Sequence, residues 1–218
     1  MPHRGSVAGK QHLDLRTRRR LQAQQEIHSA AVALATEQGM EKVTVEDIAE
    51  RAGVSVRTFF RYFPTKDRAL VYDQLGVHAA IAELLTRADP DELHLRDIEA
   101  IMVRLIAQID NDQADDLARS YRVIVASPQI MAASQVERAE LLACVPPSAR
   151  TRVRLLLDIL GTVWLSALCE WVETDAAPDG QALLTIYRQR RNQLFTLVCG
   201  AGNTDEREDC ECFGSVKS

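Results

Sequence analysis

The chain has 218 residues, of which 46% are hydrophobic and 26% are charged. This composition is typical of a globular protein and excludes an intrinsically disordered chain, which has low hydrophobicity and high net charge. The net charge is −5, but basic side chains prevail in residues 1–72 and acidic ones in residues 73–218. This asymmetry indicates that only the N-terminal part meets a polyanion.

The chain start lacks the apolar segment of a signal peptide, and no uncharged apolar run approaches the ~18 residues of a membrane helix. We therefore expect a cytoplasmic protein that does not contact a membrane. Five cysteines, an odd number, argue against a disulfide framework. Cys199, Cys210 and Cys212 are the only candidates for metal ligands, but they lack a second pair and a nearby histidine. The sequence predicts neither a metal nor a cofactor.

Apolar residues recur at helical spacing along nearly the whole chain, which predicts an all-α fold of about nine helices. The first helix carries Ile27, Ala31 and Leu34 on one face and ends at Gly39. His28 is expected on its surface. Thr44 and Ser55 are predicted to cap two short helices. The predicted ranges after the first helix are 45–52, 55–62, 65–87, 95–110, 113–127, 129–144, 147–174 and 179–199.

Residues 44–63 form a short helix, a turn at Gly53 and a second short helix. Such a pair is typical of a helix-turn-helix, whose second helix enters the major groove of DNA. An ordinary helical hairpin with solvated charges is the alternative. The small core expected between the two helices consists of Ile48, Ala49, Ala52, Val54, Phe59 and Phe63.

The outward side chains of the second helix supply the candidate DNA contacts. Arg57 suits a bidentate contact to guanine, and the methyl groups of Val56 or Thr58 suit the methyl group of thymine. The candidate phosphate ligands are Ser55, Arg61, Tyr62 and Lys66. Near the start of the first helix, four arginines could follow the phosphate backbone or enter a minor groove, or serve only as a solubilising segment. They are Arg16, Arg18, Arg19 and Arg20.

Residues 27–70, including Thr58 to Asp67 (Thr-Phe-Phe-Arg-Tyr-Phe-Pro-Thr-Lys-Asp), closely resemble the TetR family of bacterial transcriptional regulators. The resemblance implies a homodimer with one helix-turn-helix per subunit, a C-terminal body that binds a small molecule, and a dimer interface formed by the last two helices. Family members mostly repress and release DNA when the ligand binds. Phe60 departs from the family pattern, which often has a phosphate-binding tyrosine there. The family's DNA contacts correspond to Thr44, Ser55, Arg57, Thr58, Tyr62 and Lys66.

Apolar stripes on three later helices predict either a ligand cavity or plain core. Gln108, Ser120 and Arg122 could supply polar groups to such a cavity. Residues 120–130 are similar to one actinobacterial branch of the family, some members of which are thought to sense fatty-acyl compounds, so an apolar or acyl effector is expected. The candidate ligand contacts are Met102, Ile106, Ile109, Tyr121, Val125, Trp164 and Leu168.

Residues 153–172 are apolar on more than one face. Such a helix must be buried on more than one side, either against its own core and a second subunit or at the centre of a monomer. The predicted organisation is a disordered arm (1–13), a DNA-binding domain (14–64), a ligand-binding and dimerisation domain (65–202) and a disordered tail (203–218).

No enzyme motif is found: the sequence has no phosphate loop, nucleophile elbow, zinc-protease helix or dinucleotide fingerprint. The sequence therefore predicts no enzyme. It predicts a dimeric regulator that binds a near-palindromic operator and releases it when an effector binds. An activator or co-repressor-dependent regulator, and an architectural DNA-binding protein without a ligand, are the alternatives.

Overall fold

The computed structural model describes residues 15–174 and 177–199, apart from the side chains of residues 128, 131–137 and 199. Every regular element in these ranges is an α-helix, so the predicted all-α class is confirmed. The predicted arm and tail, residues 1–13 and 203–218, lie outside the described residues. The ten described helices are α1 (Leu15–Gln38), α2 (Val45–Arg51), α3 (Val56–Tyr62), α4 (Lys66–Leu70), α5 (Val77–Arg87), α6 (Leu95–Ile106), α7 (Asn111–Val125), α8 (Pro128–Ala143), α9 (Arg150–Glu173) and α10 (Gly180–Cys199).

The expectation of one helix over residues 65–87 is wrong, because the chain breaks between α4 and α5. Gly76 adopts a left-handed conformation with φ of 71°, which interrupts the helix and favours glycine. The Asp73 carboxylate then accepts the backbone N–H groups of Val77 and His78, both at 2.8 Å. These bonds satisfy donors that a helix start leaves free.

Two apolar clusters hold the chain together. The N-terminal cluster includes Ile27, Ile48, Phe59 and Leu70, and also takes in Ile124 of α7. The body cluster is built from α5, α6, α7, α8, α9 and α10. Tyr121 of α7 is half-buried and packs against both clusters. Helix α7 therefore joins the N-terminal helices to the body.

Helix α9 is the one described helix that is long and apolar enough, by length and composition, to cross a membrane. Arginine, aspartate and glutamate interrupt its apolar residues, so its uncharged runs stay shorter than a membrane helix requires. In the structure Val153, Leu160, Ala167 and Leu168 of α9 are buried in the body cluster. A core helix of a globular protein has this same composition, so the length and composition of α9 are weak evidence for a membrane span.

Candidate nucleic-acid interface and internal cavity

Two helix caps and one glycine fix the local structure of α2, α3 and the turn between them. At the start of α2, the Thr44 hydroxyl accepts the Asp47 N–H and the Asp47 carboxylate accepts the Thr44 N–H, which confirms the predicted capping box. Hydrogen bonds from Thr44 lower the pKa of the Asp47 carboxyl. Gly53 turns the chain with φ of 66°. Ser55 caps α3 by accepting the Thr58 N–H at 3.1 Å, as expected.

The predicted core between α2 and α3 forms. Ile48, Ala49, Phe59 and Phe63 are buried, and Ala52 and Val54 are half-buried. The rings of Phe59 and Phe63 lie 6.1 Å apart, within the range of favourable aromatic pairs. This packing fixes the roll of α3 and so decides which side chains face outward.

The outward face of α3 mixes a cation, hydroxyls and an exposed aromatic ring. Arg57 is exposed, and the Thr58 hydroxyl lies 2.9 Å from the Ser55 hydroxyl. Phe60 is 54% exposed, so the family's tyrosine position presents an apolar ring to solvent. The Arg61 guanidinium stacks over the Tyr62 ring at 4.7 Å and donates to its hydroxyl at 2.9 Å. Val56, by contrast, is half-buried and packs against the N-terminal cluster.

Lys66 and Thr44 flank the two helices: Thr44 caps the start of α2 and Lys66 begins α4. The Lys66 ammonium donates to the carbonyl oxygens of Met40 and Val43 at 3.0 and 2.7 Å. It thereby ties α4 to the loop between α1 and α2, a structural role that the sequence did not indicate. Thr44 is exposed but is engaged in its capping box. The four arginines of the predicted basic segment, Arg16, Arg18, Arg19 and Arg20, are exposed in the first two turns of α1.

An internal cavity of about 210 Å³ lies in the body, beside the link between α4 and α5. Apolar side chains of α6, α7, α8 and α9 form most of its wall, among them Met102, Leu117 and Leu157. Residues 71–75 of the α4–α5 link, together with Val77 and His78 at the start of α5, form another wall. The cavity is smaller than the ~300–1,000 Å³ usual for drug-sized ligands, so it suits a compact molecule.

The charged side chains that line the cavity are already compensated. Burial acts to raise the pKa of Asp73, but hydrogen bonds from His78 and Val77 outweigh it and lower the pKa. The Arg138 guanidinium pairs with Asp158 of α9. A lone ionic group on a ligand would therefore be buried without a counter-charge, which is costly.

Comparison with known proteins places the N-terminal unit. Residues 27–70 match the family model described as bacterial regulatory proteins, tetR family. The N-terminal unit of the chain is therefore similar to the TetR family. It is 30% identical over 136 residues to a Mycobacterium tuberculosis protein named as a putative mycofactocin biosynthesis transcriptional regulator, MftR. That match covers 62% of this chain and 63% of the relative's length.

A second relative is the HTH-type transcriptional repressor KstR of Rhodococcus jostii, 28% identical over 174 residues, covering 73% of this chain and 77% of KstR. Among solved structures, FadR of Thermus thermophilus, crystallised with lauroyl-CoA, aligns with a TM-score of 0.43 and 17% identity. That alignment covers 83% of this chain and 97% of FadR.

The structure brings only part of the predicted ligand set together. Met102, Tyr121 and Trp164 line the cavity, and the Trp164 indole N–H donates to the Tyr121 hydroxyl at 3.1 Å. Of the predicted polar groups, Gln108 and Arg122 are exposed and Ser120 is buried outside the cavity wall. The remaining candidates lie elsewhere: Ile106 and Leu168 are buried in the body cluster, Ile109 packs on its edge, and Val125 is exposed.

The polar cavity residues Asp73, Gln74, His78 and Arg138 were missed. The break between α4 and α5 brings three of them to the cavity, and the assumption of one continuous helix hid that break. The only signal was Gly76, three residues after Asp73. No group of three or more histidine, cysteine or acidic side chains in the described parts of the chain could hold a metal ion. Cys210, Cys212 and the Cys199 side chain lie outside them.

The expectation that His28 lies on the surface is wrong. It is 3% exposed, with Nδ1 at 2.7 Å from the Ala69 carbonyl oxygen and Nε2 at 3.0 Å from the Ser120 hydroxyl. Burial lowers its pKa, against weaker raising effects of the Ala69 bond and the Asp116 charge. A polar residue on the apolar face of α1 is buried because both ring nitrogens find partners.

Proposed function

We propose that this protein is a sequence-specific DNA-binding transcriptional regulator that represses and releases its operator when a small molecule enters the body. The observation that carries the proposal is the helix-turn-helix, in which a packed core turns Arg57 and the other polar side chains of α3 outward. The family, and the naming of one relative as a repressor, support the same function. In this proposal α3 lies in the major groove, with its N-terminal residues at the base edges.

The division of labour within the interface follows from side-chain chemistry. Arg57 reads guanine and Thr58 contacts a thymine methyl group, whereas Ser55, Arg61 and Tyr62 position the helix on phosphates. Thr44, Lys66 and the four exposed arginines of α1 add further backbone contacts. Val56 adds an apolar contact only through the part of its side chain that the N-terminal cluster leaves open.

The proposed effector is a compact apolar or acyl molecule held in the cavity beside the α4–α5 link. Three predicted residues, Met102, Tyr121 and Trp164, contribute to its wall. Asp158 compensates the charge of Arg138, and the side chain and backbone N–H of His78 compensate that of Asp73. An uncharged molecule with hydrogen-bonding groups therefore fits the cavity better than an ion.

The proposed assembly is a homodimer through α9 and α10. Leu155, Ile159, Thr162, Ser166 and Cys169 follow one stripe along α9, and each is exposed or partly exposed. Their spacing of three and four residues places them on one helix face. A second copy that covers this stripe would complete the burial of an apolar helix.

Selection of duplexes from random DNA by the purified full-length protein tests the function. Fluorescence anisotropy of the selected duplex, against a random duplex and over a salt series, gives affinity and stoichiometry. We expect a near-palindromic site that binds two chains. Its half-sites lie about one helical turn apart, ~34–36 Å or modestly more, and the salt dependence is steep.

Enrichment of no sequence, with equally weak binding to every duplex, would overturn sequence-specific regulation. A selected site that is bound more tightly after compounds are added would instead favour the co-repressor-dependent alternative.

A further inference from the structure

His28 is the point at which three helices and the cavity wall meet. Its Nδ1 bonds the Ala69 carbonyl of α4, and its Nε2 bonds Ser120 of α7. Gln74 of the α4–α5 link donates from its amide nitrogen to the same Ser120 hydroxyl at 2.9 Å. The Tyr72 ring lies 5.5 Å from the His28 ring. Both Tyr72 and Gln74 also line the cavity.

The hydrogen bonds of a neutral His28 run in one direction. A carbonyl oxygen only accepts, so the proton of the neutral ring must be on Nδ1 and face Ala69. Nε2 is then an acceptor, and the Ser120 hydroxyl must donate to it. Gln74 donates in turn to Ser120. The result is a chain in which Gln74 donates to Ser120, Ser120 to His28 and His28 to Ala69, and bonds aligned in this way strengthen one another.

The single proton of the Ser120 hydroxyl makes this chain breakable. The hydroxyl also lies 2.8 Å from the Asp116 carbonyl oxygen, to which it can donate instead. If the Gln74 amide donates to a molecule in the cavity instead, the Ser120 hydroxyl oxygen no longer accepts a hydrogen bond from Gln74. The Ser120 proton is then free to turn to Asp116, and His28 loses its link to α7. The charge of Asp116 on α7 acts on His28, and the neutral ring of the ionisable Tyr72 packs against the His28 ring.

We propose that the chain Gln74–Ser120–His28–Ala69 transmits occupancy of the cavity to α1 and α4, and that the effector bears a hydrogen-bond acceptor that competes with Ser120 for the Gln74 amide. His28 acts here as a positioning residue between body and helix-turn-helix. The proposal rests on the proposed function and adds to it the residues of the coupling and one chemical requirement on the ligand.

The direction of the chain is tested without DNA. Two-bond ¹H–¹⁵N correlation spectra of the full-length protein distinguish the two neutral histidine tautomers, and the His28→Gln variant identifies the signal. We expect the Nδ1–H tautomer for His28, and its retention in Ser120→Ala with a shifted Nε2 signal, because the Ala69 carbonyl oxygen still accepts from Nδ1 while Nε2 loses its donor. An Nε2–H tautomer in the unchanged protein would overturn the proposed direction.

The coupling is tested with the cavity's own tryptophan. The chain has two tryptophans, so Trp171→Phe leaves Trp164, which lines the cavity, as the only emitter. Coupling is reciprocal, so binding of the selected duplex should shift the hydrogen-bond chain at the cavity wall and with it the surroundings and the emission of Trp164. We expect this change in the Trp171→Phe protein and its loss when Gln74→Met or Ser120→Ala is added. Ser29→Ala, which removes an exposed hydroxyl next to His28 on α1, is the matched control and should keep the change.

Anisotropy of the labelled duplex in the same samples separates the two proposals. If no duplex binds the parent protein, the proposed function fails while the tautomer result stands by itself. If the duplex binds and Trp164 does not respond, or responds equally in Gln74→Met and Ser120→Ala, the coupling is overturned and the regulator function stands. Circular dichroism melting of each variant shows whether it is folded; should Ser120→Ala fail to fold, Gln74→Met decides the outcome.

Discussion

Arg57 stands on the exposed face of α3, where a guanidinium has the geometry to bind guanine through two parallel hydrogen bonds. We expect Arg57→Ala to cost about 1–3 kcal/mol on the selected operator and to relax its sequence preference. Anisotropy with the selected duplex and with single-base variants measures this. Arg104→Ala, which removes an exposed arginine from α6 of the body, is the charge-matched control. Equal losses on operator and random DNA would refute a base-reading role for Arg57.

Lys66 combines two roles that one measurement cannot separate. Lys66→Ala removes two hydrogen bonds to Met40 and Val43, so we expect a loss of about 1–3 kcal/mol in unfolding free energy. We also expect weaker binding to all sequences, because the ammonium is a proposed phosphate ligand. Denaturant melts and anisotropy together test this. Unchanged stability would contradict the bonds seen between α4 and the α1–α2 loop.

His28 gives the stability of the protein a pH dependence. Burial lowers its folded-state pKa below the ordinary value of 6.5, so the unfolded chain binds more protons as the pH falls. The stabilisation is present above pH 6.5 and is lost as the pH drops through the folded-state pKa. Unfolding free energies from pH 8 to 5 should fall more steeply for the unchanged protein than for His28→Gln. His94→Gln, at a partly exposed histidine, is the control, and parallel curves for His28→Gln would refute the effect.

The role of a single residue could be predicted from the sequence where that role depends only on its near neighbours in the chain. The caps at Thr44 and Ser55 follow from residue type and from spacing within one turn. The roles of His28 and Lys66 could not be predicted, because their hydrogen-bond partners are distant in sequence. These partners are Ala69 and Ser120 for His28, and Met40 and Val43 for Lys66.

Among the elements, the break between α4 and α5 depends on Gly76. Gly76→Ala should destabilise the protein by about 1–2 kcal/mol, since a side chain disfavours the left-handed conformation while the space around an added Cβ is open. Gly76→Asn should cost less, because asparagine tolerates this conformation. Thermal melts of both variants measure the difference. Equal costs would indicate that the penalty does not come from backbone conformation.

Helix type and order could be predicted because α1, α6, α7 and α9 carry apolar residues at helical spacing over many turns. The break at residues 71–76 could not, because Leu70, Val71, Leu75 and Val77 keep an apolar pattern across it. Tertiary packing, with Val71 in one cluster and Leu75 against the other, acts together with the left-handed Gly76 to separate α4 from α5. The cavity residues of the link were lost for the same reason.

The whole molecule is expected to be a dimer, with a mass twice the 24.3 kDa of one chain. Ser166→Arg places an unpaired charge in the exposed stripe of α9 and should weaken self-association more than about tenfold, a cost of about 1.4 kcal/mol or more. Light scattering over a concentration series measures the mass. Thr86→Arg, at an exposed site on α5, is the control. If Ser166→Arg self-associates as tightly as the unchanged protein, α9 does not form the interface.

Ile124 of helix α7 belongs to the N-terminal cluster, and this matters for the construction of hybrid regulators. Ile124 lies more than fifty residues downstream of the last N-terminal helix, inside the part that a designer would exchange. If the chain were joined to another protein's body directly after residue 71, the N-terminal cluster would lose Ile124. A side chain from the other protein would then have to fill its place. Hybrids of this protein need the face of α7 around Ile124, together with Ile130 of α8, carried over with the N-terminal helices, so the two halves cannot be exchanged as independent modules.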